Sequence, residues 1–198
     1  MLTQIIAHRG SKGTRPENTL PAFIAAIEDG ADGIETDVHL SRDGQLIIMH
    51  DELVDRTTNG TGRIVDHTLA ELKQLDAGVK YASAYAGTRI PTLDEVVQLL
   101  IQYNFTGIFN LEIKTNKIHY EGIEDLVADY FNHHQVPFTL IYSSFYGKSI
   151  ERLHVLQPEV ESDSLFKTKV QTAKRLHAQH IVLGYHPDIR WVRVHWLL

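Results

Sequence analysis

The sequence predicts an α/β fold whose mostly parallel sheet is either doubly wound or closed into a barrel. Short apolar runs rich in β-branched residues alternate with stretches in which apolar residues recur every three or four positions. Strands that alternate with helices in this way form parallel sheets. No GxGxxG motif follows the first apolar run, so the sequence does not favour the dinucleotide-binding form of the doubly wound fold.

Seven segments of apolar and β-branched composition are predicted as strands. They cover residues 5–7, 33–40, 46–49, 107–113, 138–142, 160–166 and 181–183. The Ser-Arg-Asp-Gly stretch at 41–44 is a turn by composition and separates the second strand from the third.

Helical spacing predicts helices between these strands. The first covers 20–27, with Asn18, Thr19 and Pro21 as start signals and Gly30 as a stop signal. Further helices are predicted over 69–75, 93–100, 123–131, 150–156 and 173–177, and a last one, opened by Pro187, over 189–198. Residues 52–92 are polar and rich in Gly and Thr, and so long a connection is usually functional in a compact domain.

Composition narrows the class of protein. A chain of 198 residues with 43% hydrophobic and 22% charged residues is typical of one soluble domain. The net charge of −6 gives no support for a nucleic-acid surface, and a phosphate-binding protein of this charge needs a local cation or basic side chains. No cysteine is present, which excludes disulfides, and no apolar run is long enough to be a transmembrane segment. With no signal peptide recognised, a cytoplasmic location is predicted.

Ionisable side chains gather at the ends of the first four predicted strands. They are His8 and Arg9 on the first, Glu35 and Asp37 on the second, His50 on the third, and Glu112 and Lys114 on the fourth. Residues two apart on a strand face the same side. In an α/β barrel the carboxyl ends of the strands form the face that carries the active site, so we expect these groups at one mouth.

The residue types predict the chemistry of this mouth. Three crowded carboxylates, Glu35, Asp37 and Glu112, would have raised pKa values unless a hard divalent cation such as Ca²⁺ or Mg²⁺ neutralised them. Two histidines can act as general base and general acid near neutral pH.

A purely structural reading is open for each residue alone. His8 or His50 could be a satisfied structural histidine, the carboxylates could pair with the basic residues, and Glu17 could simply favour a helix start. As a set this reading fails, because inward-facing charges on four strands are too unfavourable as mere structure. His39 is a weaker candidate that alternates with Asp37. The remaining histidines, His186 included, are predicted on helices or loops.

The motifs, taken in order, resemble those of the glycerophosphodiester phosphodiesterase family. They are AHRG at 7–10, PENT at 16–19, GIETDVHLSRDG at 33–44, MHD at 49–51, DRTTNGTG at 55–62, IPTLDEV at 90–96 and NLEIK at 110–114. After these motifs the resemblance is weaker and extends to about Pro158. The chain ends in RWVRVHWLL at 190–198, where the family continues into an eighth strand with a Trp-Thr-x-Asn stretch.

The resemblance implies a (β/α)8 TIM barrel and a metal-dependent phosphodiesterase. Glu35, Asp37 and Glu112 would bind Ca²⁺ or Mg²⁺, His8 would accept a proton and His50 would donate one. Arg9 and Lys114 would bind the phosphate, and Glu17 would help to orient the site. The small-molecule substrates would be glycerophosphodiesters, cleaved to sn-glycerol 3-phosphate and an alcohol.

Two alternatives and one structural expectation stay open from the sequence. The same barrel could carry a sphingomyelinase-D-like phospholipase, or it could bind glycerol phosphate without turnover. Residues 1–198 are expected to form a single barrel domain, truncated at its C-terminus, with the eighth strand missing. The first and seventh strands would then have unpaired edges, covered by the tail or by a neighbouring chain in a homo-oligomer.

Overall fold

A computed structural model of the chain describes residues 3–168 and 170–188. Its strands are β1 (Ile6–His8), β2 (Gly33–Leu40), β3 (Leu46–Ile48), β4 (Ile108–Ile113), β5 (Thr139–Ser144), β6 (Glu161–Phe166) and β7 (Gly184–Pro187). Its helices are α1 (Leu20–Glu28), α2 (Leu69–Leu72), α3 (Leu93–Gln102), α4 (Ile123–His133), α5 (Gly147–Leu156) and α6 (Gln171–Ala178), with short 3₁₀ turns at Ile64–Asp66 and Ser83–Tyr85. Strands and helices alternate as predicted.

The main sheet runs in the order β1-β2-β4-β5-β6-β7, and each neighbouring pair is parallel. A sheet in which successive parallel strands lie side by side, joined through helices, is the arrangement of a (β/α) barrel rather than of a doubly wound fold. The carboxyl ends of these strands therefore lie at one face, which is where the predicted site residues fall.

The prediction that the third strand is a barrel strand is wrong. β3 pairs antiparallel with β2, with Val38 opposite Ile48 and Leu40 opposite Leu46, and it lies off the main path. The cause is the turn at 41–44, where the Gly44 N–H donates to the Ser41 carbonyl at 3.1 Å. So short a turn can join only antiparallel strands, because a parallel pair needs a long crossover. Among the described residues the barrel has six parallel strands, not seven.

The last strand is also displaced from its predicted place. The apolar run 181–183 precedes β7 instead of forming it, and Val182 packs in a small cluster with Ile150 and Leu176. β7 itself contains Pro187, which was expected to open a helix. The predicted helix over 189–198 lies outside the described residues.

Both ends of the described sheet have an open edge. Within residues 3–168 and 170–188, β1 pairs only with β2 and β7 only with β6. Unpaired edges were expected at these two strands. Their cover by the tail or by a neighbouring chain stays a prediction.

The segment from Ile47 to Ile90, which begins on β3 and leads to α3, has its own small core. Its buried residues are Ile47, Met49, Val54, Ile64, Leu72, Ala77 and Ile90, separate from the main cluster beneath the sheet. An antiparallel bridge between Ile47 and Thr92 joins its two ends. Within the described part of the chain, no helix has both the length and the apolar character needed to cross a bilayer.

Candidate active site

The three predicted metal ligands converge at the mouth of the barrel. Asp37 on β2 lies opposite Glu112 on β4. Glu35 lies two residues before Asp37, on the same face of β2. Each of the three offers a carboxylate oxygen within 4.8 Å of the others, and all three side chains are almost completely buried. The two-residue spacing on β2 thus places both carboxylates on the inner face, as predicted.

Burial and mutual repulsion perturb these carboxyl groups strongly. Burial, followed by the charges of Asp37 and Glu112, raises the pKa of Glu35 well above its ordinary value. Burial likewise raises the pKa of Glu112 to about 7, although the neighbouring Lys114 ammonium works in the opposite direction. The Lys114 Nζ lies 2.9 Å from Glu112 Oε1 and 3.3 Å from Asp37 Oδ1. Arg9 Nε lies 3.7 Å from Asp37 Oδ2, but Arg9 is shared with Glu17. Two cationic side chains among three buried carboxylates and Glu17 leave this part of the mouth short of positive charge.

The residues present fit a hard divalent cation. Asp37 Oδ1 and Glu112 Oε1 are buried, and within the described ranges neither accepts a hydrogen bond of regular geometry, although Lys114 is near both. The donor set consists only of carboxylate oxygens, which suits Ca²⁺ or Mg²⁺. The other oxygen of Asp37 accepts a hydrogen bond at 2.8 Å from Asn18, whose own carbonyl oxygen accepts one from Thr36. Asn18 therefore orients a candidate ligand, a role that the sequence reasoning missed although Asn18 lies in the PENT motif.

His8 ends β1 beside this cluster. Its Nε2 lies 3.7 Å from Glu35 Oε2, and its Nδ1 lies 2.6 Å from Lys12 Nζ. Burial, with the positive charges of Arg9 and Lys12, lowers the pKa of His8 to about 4. The ring is therefore neutral at pH 7. Because an ammonium only donates, Nδ1 accepts from Lys12 and Nε2 carries the ring proton. The ring can accept a proton from another group at Nδ1 once Lys12 releases that nitrogen.

His50 follows β3 and has an acidic partner instead. Its Nδ1 lies 2.6 Å from Asp51 Oδ1. Because a carboxylate can only accept, Nδ1 carries the proton and Nε2 is left for the cleft. Burial lowers the pKa of His50, while the negative charge of Asp37 and the hydrogen bond to Asp51 work to raise it. Burial also tends to raise the pKa of Asp51, but hydrogen bonds from Arg56 and His50 lower it to about 2.

His39, the weaker candidate, lies completely buried behind His50. Its Nδ1 lies 2.9 Å from the Tyr120 hydroxyl and its Nε2 lies 3.2 Å from the His50 carbonyl oxygen. Burial lowers the pKa of His39 to about 4, so it is neutral at pH 7. Its contacts support the backbone at His50.

Arg9 turns the chain sharply where β1 ends. Its φ is 62° and that of Gly10 is 71°. A Cβ on Gly10 would lie 2.7 Å from the Ala22 backbone, so only glycine fits there. The turn directs the Arg9 N–H to the Glu35 backbone carbonyl at 2.9 Å and to its carboxylate at 3.1 Å. The local fold thus fixes Arg9 and Glu35 together.

Glu17 faces arginines rather than the main cleft. Its carboxylate accepts hydrogen bonds from Arg9 at 3.0 Å and from Arg56 at 2.6 and 2.9 Å. Burial tends to raise its pKa, but the hydrogen bond from Arg56 and the charge of Arg9 outweigh burial and lower the pKa to about 2. Glu17 therefore stays ionised and holds the Arg9 guanidinium.

A cleft of about 580 Å³ opens above these groups. One wall, here called the acidic wall, includes His8, Arg9, Glu35, His50, Glu112 and Lys114. The other, here called the β5–β7 wall, includes Ser143, Phe145, Leu165, Lys167 and His186. The structure thus brings both predicted histidines, both predicted phosphate-binding residues and two of the three predicted metal ligands to one cleft, with Asp37 buried beneath it.

The expected position of His186 on a helix or loop is wrong. It lies on β7 and lines the cleft, with its Nε2 2.9 Å from Asp163 Oδ2. Asp163 is buried on β6, and its other oxygen accepts a hydrogen bond from the Gly184 N–H at 2.6 Å. The shift of β7 toward the C-terminus explains the error. A charged residue inside the predicted strand 160–166 was the signal that could have found this pair.

Comparison with known proteins agrees with this geometry. The sequence model described as the glycerophosphoryl diester phosphodiesterase family matches residues 8–196. A glycerophosphodiester phosphodiesterase of Caldanaerobacter subterraneus is 44% identical over 167 residues, covering 84% of this chain and 68% of the relative. One of Bacillus altitudinis is 39% identical over 195 residues, covering 96% and 77%.

A solved structure is similar over almost the whole chain. It is a phosphodiesterase of Oleispira antarctica in complex with the product sn-glycerol-3-phosphate, 35% identical, with a TM-score of 0.83. The match covers 97% of this chain and 79% of that chain. The likeness supports the prediction of a (β/α)8 barrel. The chain therefore belongs to the glycerophosphoryl diester phosphodiesterase family and is a phosphoric diester hydrolase.

Proposed function

We propose that this chain hydrolyses glycerophosphodiesters to sn-glycerol 3-phosphate and an alcohol, with Ca²⁺ or Mg²⁺ held by Glu35, Asp37 and Glu112. The observation that carries the proposal is the convergence of three buried carboxylates beside two histidines at one cleft. The product bound to the related phosphodiesterase of Oleispira antarctica supports the same substrate class.

The basic residues of the acidic wall bind the phosphate in this proposal. Lys114 and Arg9 both line the cleft, and both are held by carboxylates, Lys114 by Glu112 and Arg9 by Glu17. A guanidinium and an ammonium in a partly dry site are strong partners for phosphoryl oxygens. A bound divalent cation would add neutralisation of the carboxylates and polarisation of a phosphoryl oxygen.

The two histidines differ in the way that proton transfer requires. Neutral His8 takes the proton from a glycerol hydroxyl of the substrate as that oxygen bonds to phosphorus. His50 starts as the imidazolium, with its Nδ1 proton held by Asp51 and a second proton on Nε2. The bond from phosphorus to the alcohol oxygen breaks, and His50 gives that oxygen the Nε2 proton. In the second step water opens the cyclic phosphate, the proton transfers run in reverse, and both rings return to their starting states.

Release of glycerol 3-phosphate from a panel of glycerophosphodiesters, with and without added cation, tests the proposal. Metal-free protein should be inactive in excess EDTA and should regain activity with Ca²⁺ or Mg²⁺. Full turnover in EDTA would refute the metal requirement. Cleavage of sphingomyelin or lysophospholipid alone would favour the phospholipase, and binding of glycerol 3-phosphate without turnover would favour a non-catalytic barrel.

We further infer that residues 1–198 act as one catalytic domain, which limited proteolysis would test. The cytoplasmic location and the homo-oligomer stay predictions. Cell fractionation and sedimentation of the purified protein are the respective measurements.

A further inference from the structure

Arg56 links two carboxylates that belong to different loops of the site. It lies in the segment after β3, and its guanidinium has three hydrogen-bonding nitrogens. Nε contacts Asp51 Oδ2 at 2.5 Å, Nη1 donates to Glu17 Oε2 at 2.9 Å, and Nη2 donates to Glu17 Oε1 at 2.6 Å. Glu17 comes from the loop between β1 and α1. Every nitrogen of this side chain thus has a carboxylate partner.

Each of these carboxylates holds a residue of the acidic wall. Asp51 accepts from His50 Nδ1, which fixes the ring and leaves Nε2 for the cleft. Glu17 accepts from Arg9 Nη1 at 3.0 Å, and Arg9 directly follows His8 in the chain. The contacts form one continuous path from His50 through Asp51, Arg56 and Glu17 to Arg9.

The geometry distinguishes this arginine from an ordinary surface ion pair. Its side chain is 48% exposed, and exposed ion pairs usually contribute little to stability. A planar fork that binds one carboxylate with two nitrogens and a second with the third, however, fixes both partners in space. A lysine ammonium carries the charge but cannot reproduce the fork. Orientation, rather than stability, is therefore the effect to look for.

We propose that Arg56 is a positioning residue that holds His50 and Arg9 in their working places by binding Asp51 and Glu17 at the same time. Its importance for turnover rests on the proposed function. Its effect on the His50 ring does not, because the ring can be observed without any substrate.

The kinetic test compares Arg56→Gln with a matched control, Arg63→Gln. Arg63 lies in the same segment and forms a two-nitrogen pair with Asp66 at 2.8 and 3.0 Å, away from the cleft. Arg56→Gln should lower kcat by about 10- to 100-fold with KM changed less than about threefold, whereas Arg63→Gln should behave as wild type. Arg56→Lys should recover only part of the loss.

The spectroscopic test observes the His50 ring by ¹⁵N NMR below the unfolding temperature of each variant, at a pH at which the ring is neutral. Wild type and Arg63→Gln should show His50 with the proton on Nδ1, and Arg56→Gln should show a mixture of tautomers. In the double variant with Asp51→Asn, the two losses in kcat should not multiply, because both act through one path. A folded Arg56→Gln protein with a wild-type His50 ring would overturn the proposal, whatever the activity of the enzyme. So would a wild-type kcat for that variant in an active enzyme.

Discussion

The two walls of the cleft are built in different ways. On the acidic wall, charged groups hold one another at every position, from the Lys114–Glu112 pair to the Arg56 contacts with Glu17 and Asp51. On the β5–β7 wall the described polar contacts are fewer, and Ser143, which donates to Asn110 at 2.8 Å, is typical of them. An ion pair between His186 and Asp163 reaches the cleft on this wall. We infer that the first wall carries the chemistry and that the second accommodates the rest of the substrate.

Substitution of a carboxylate ligand should give the largest difference in cation binding and kcat between variants of the two walls. Asp37→Asn or Glu35→Gln should weaken cation binding and lower kcat by about 10³-fold, because the cation supplies several kcal/mol of charge stabilisation. Calorimetric titration with Ca²⁺ and Mg²⁺, together with the diester assay, measures both effects. Asp163→Asn is the matched variant on the other wall and should bind the cation as wild type does. If Asp163→Asn weakened cation binding as much as the other two variants, cation binding would not be confined to the acidic wall.

The histidines of the acidic wall come next in expected effect. His8→Ala or His50→Ala should each lower kcat by about 10²-fold, the usual scale for a general acid or base, with the fold retained in circular dichroism. His133→Ala is the control, since that side chain is 71% exposed on α4. Near-wild-type rates for both site variants would return the two rings to a structural role.

The cation-free protein should lose stability as the pH rises from about 6.5 to 7.5. Glu112, with a pKa of about 7, and Glu35, with a pKa raised well above its ordinary value, hold protons more tightly when folded than when unfolded. Stability therefore falls while these groups are ionised in the unfolded chain but still protonated in the folded one, and for Glu112 the fall ends once the pH has passed its folded pKa of about 7. His8 and His39, both lowered to about 4, raise stability with pH only up to their ordinary value of 6.5, below this window.

Thermal unfolding in EDTA measures this dependence. Glu112→Gln should show a shallower fall in Tm than wild type over the same range, and excess Ca²⁺ should flatten the wild-type curve. A Tm that rises from pH 6.5 to 7.5 in EDTA would contradict the charge assignment of the acidic wall.

The smallest effect is expected on the β5–β7 wall. His186→Asn should raise KM by a few fold and leave kcat within about threefold, because the ring lines the cleft without belonging to the acidic wall. Steady-state kinetics on one good diester substrate decide the matter. A kcat loss as large as that of His8→Ala would show that both walls take part in the chemistry.

The sequence predicted which side chains share the acidic wall because their positions follow from the local spacing of residues along a strand. Glu35 and Asp37 share a face through the two-residue repeat of a strand, and the same repeat relates Glu112 to Lys114. The antiparallel pairing of β3 could also have been predicted, because the turn at 41–44 is too short for a crossover.

The β5–β7 wall was not predicted, because the position of β7 depends on tertiary packing that a single sequence does not show. The run 181–183 has a strand-like composition, yet its central Val182 packs against α5 and α6, and β7 begins after it. The partners of Arg56 were equally hidden, since Glu17 lies 39 residues away along the chain. Strand register and contacts between loops are properties of pairing and not of local pattern.

Residues 47–92 have a hydrophobic core of their own. His50 lies within this segment, whereas His8 lies on the main sheet. A segment with its own buried cluster can open and close as a cooperative unit at a lower free energy than global unfolding. We expect native-state hydrogen exchange to show the amides of Ile64 and Leu72 exchanging together, before those of Phe109 and Leu111 in the centre of β4. Opening of this kind would withdraw His50, one of the two proposed proton-transfer groups, while the barrel stays folded, so activity would be lost and regained without refolding of the barrel.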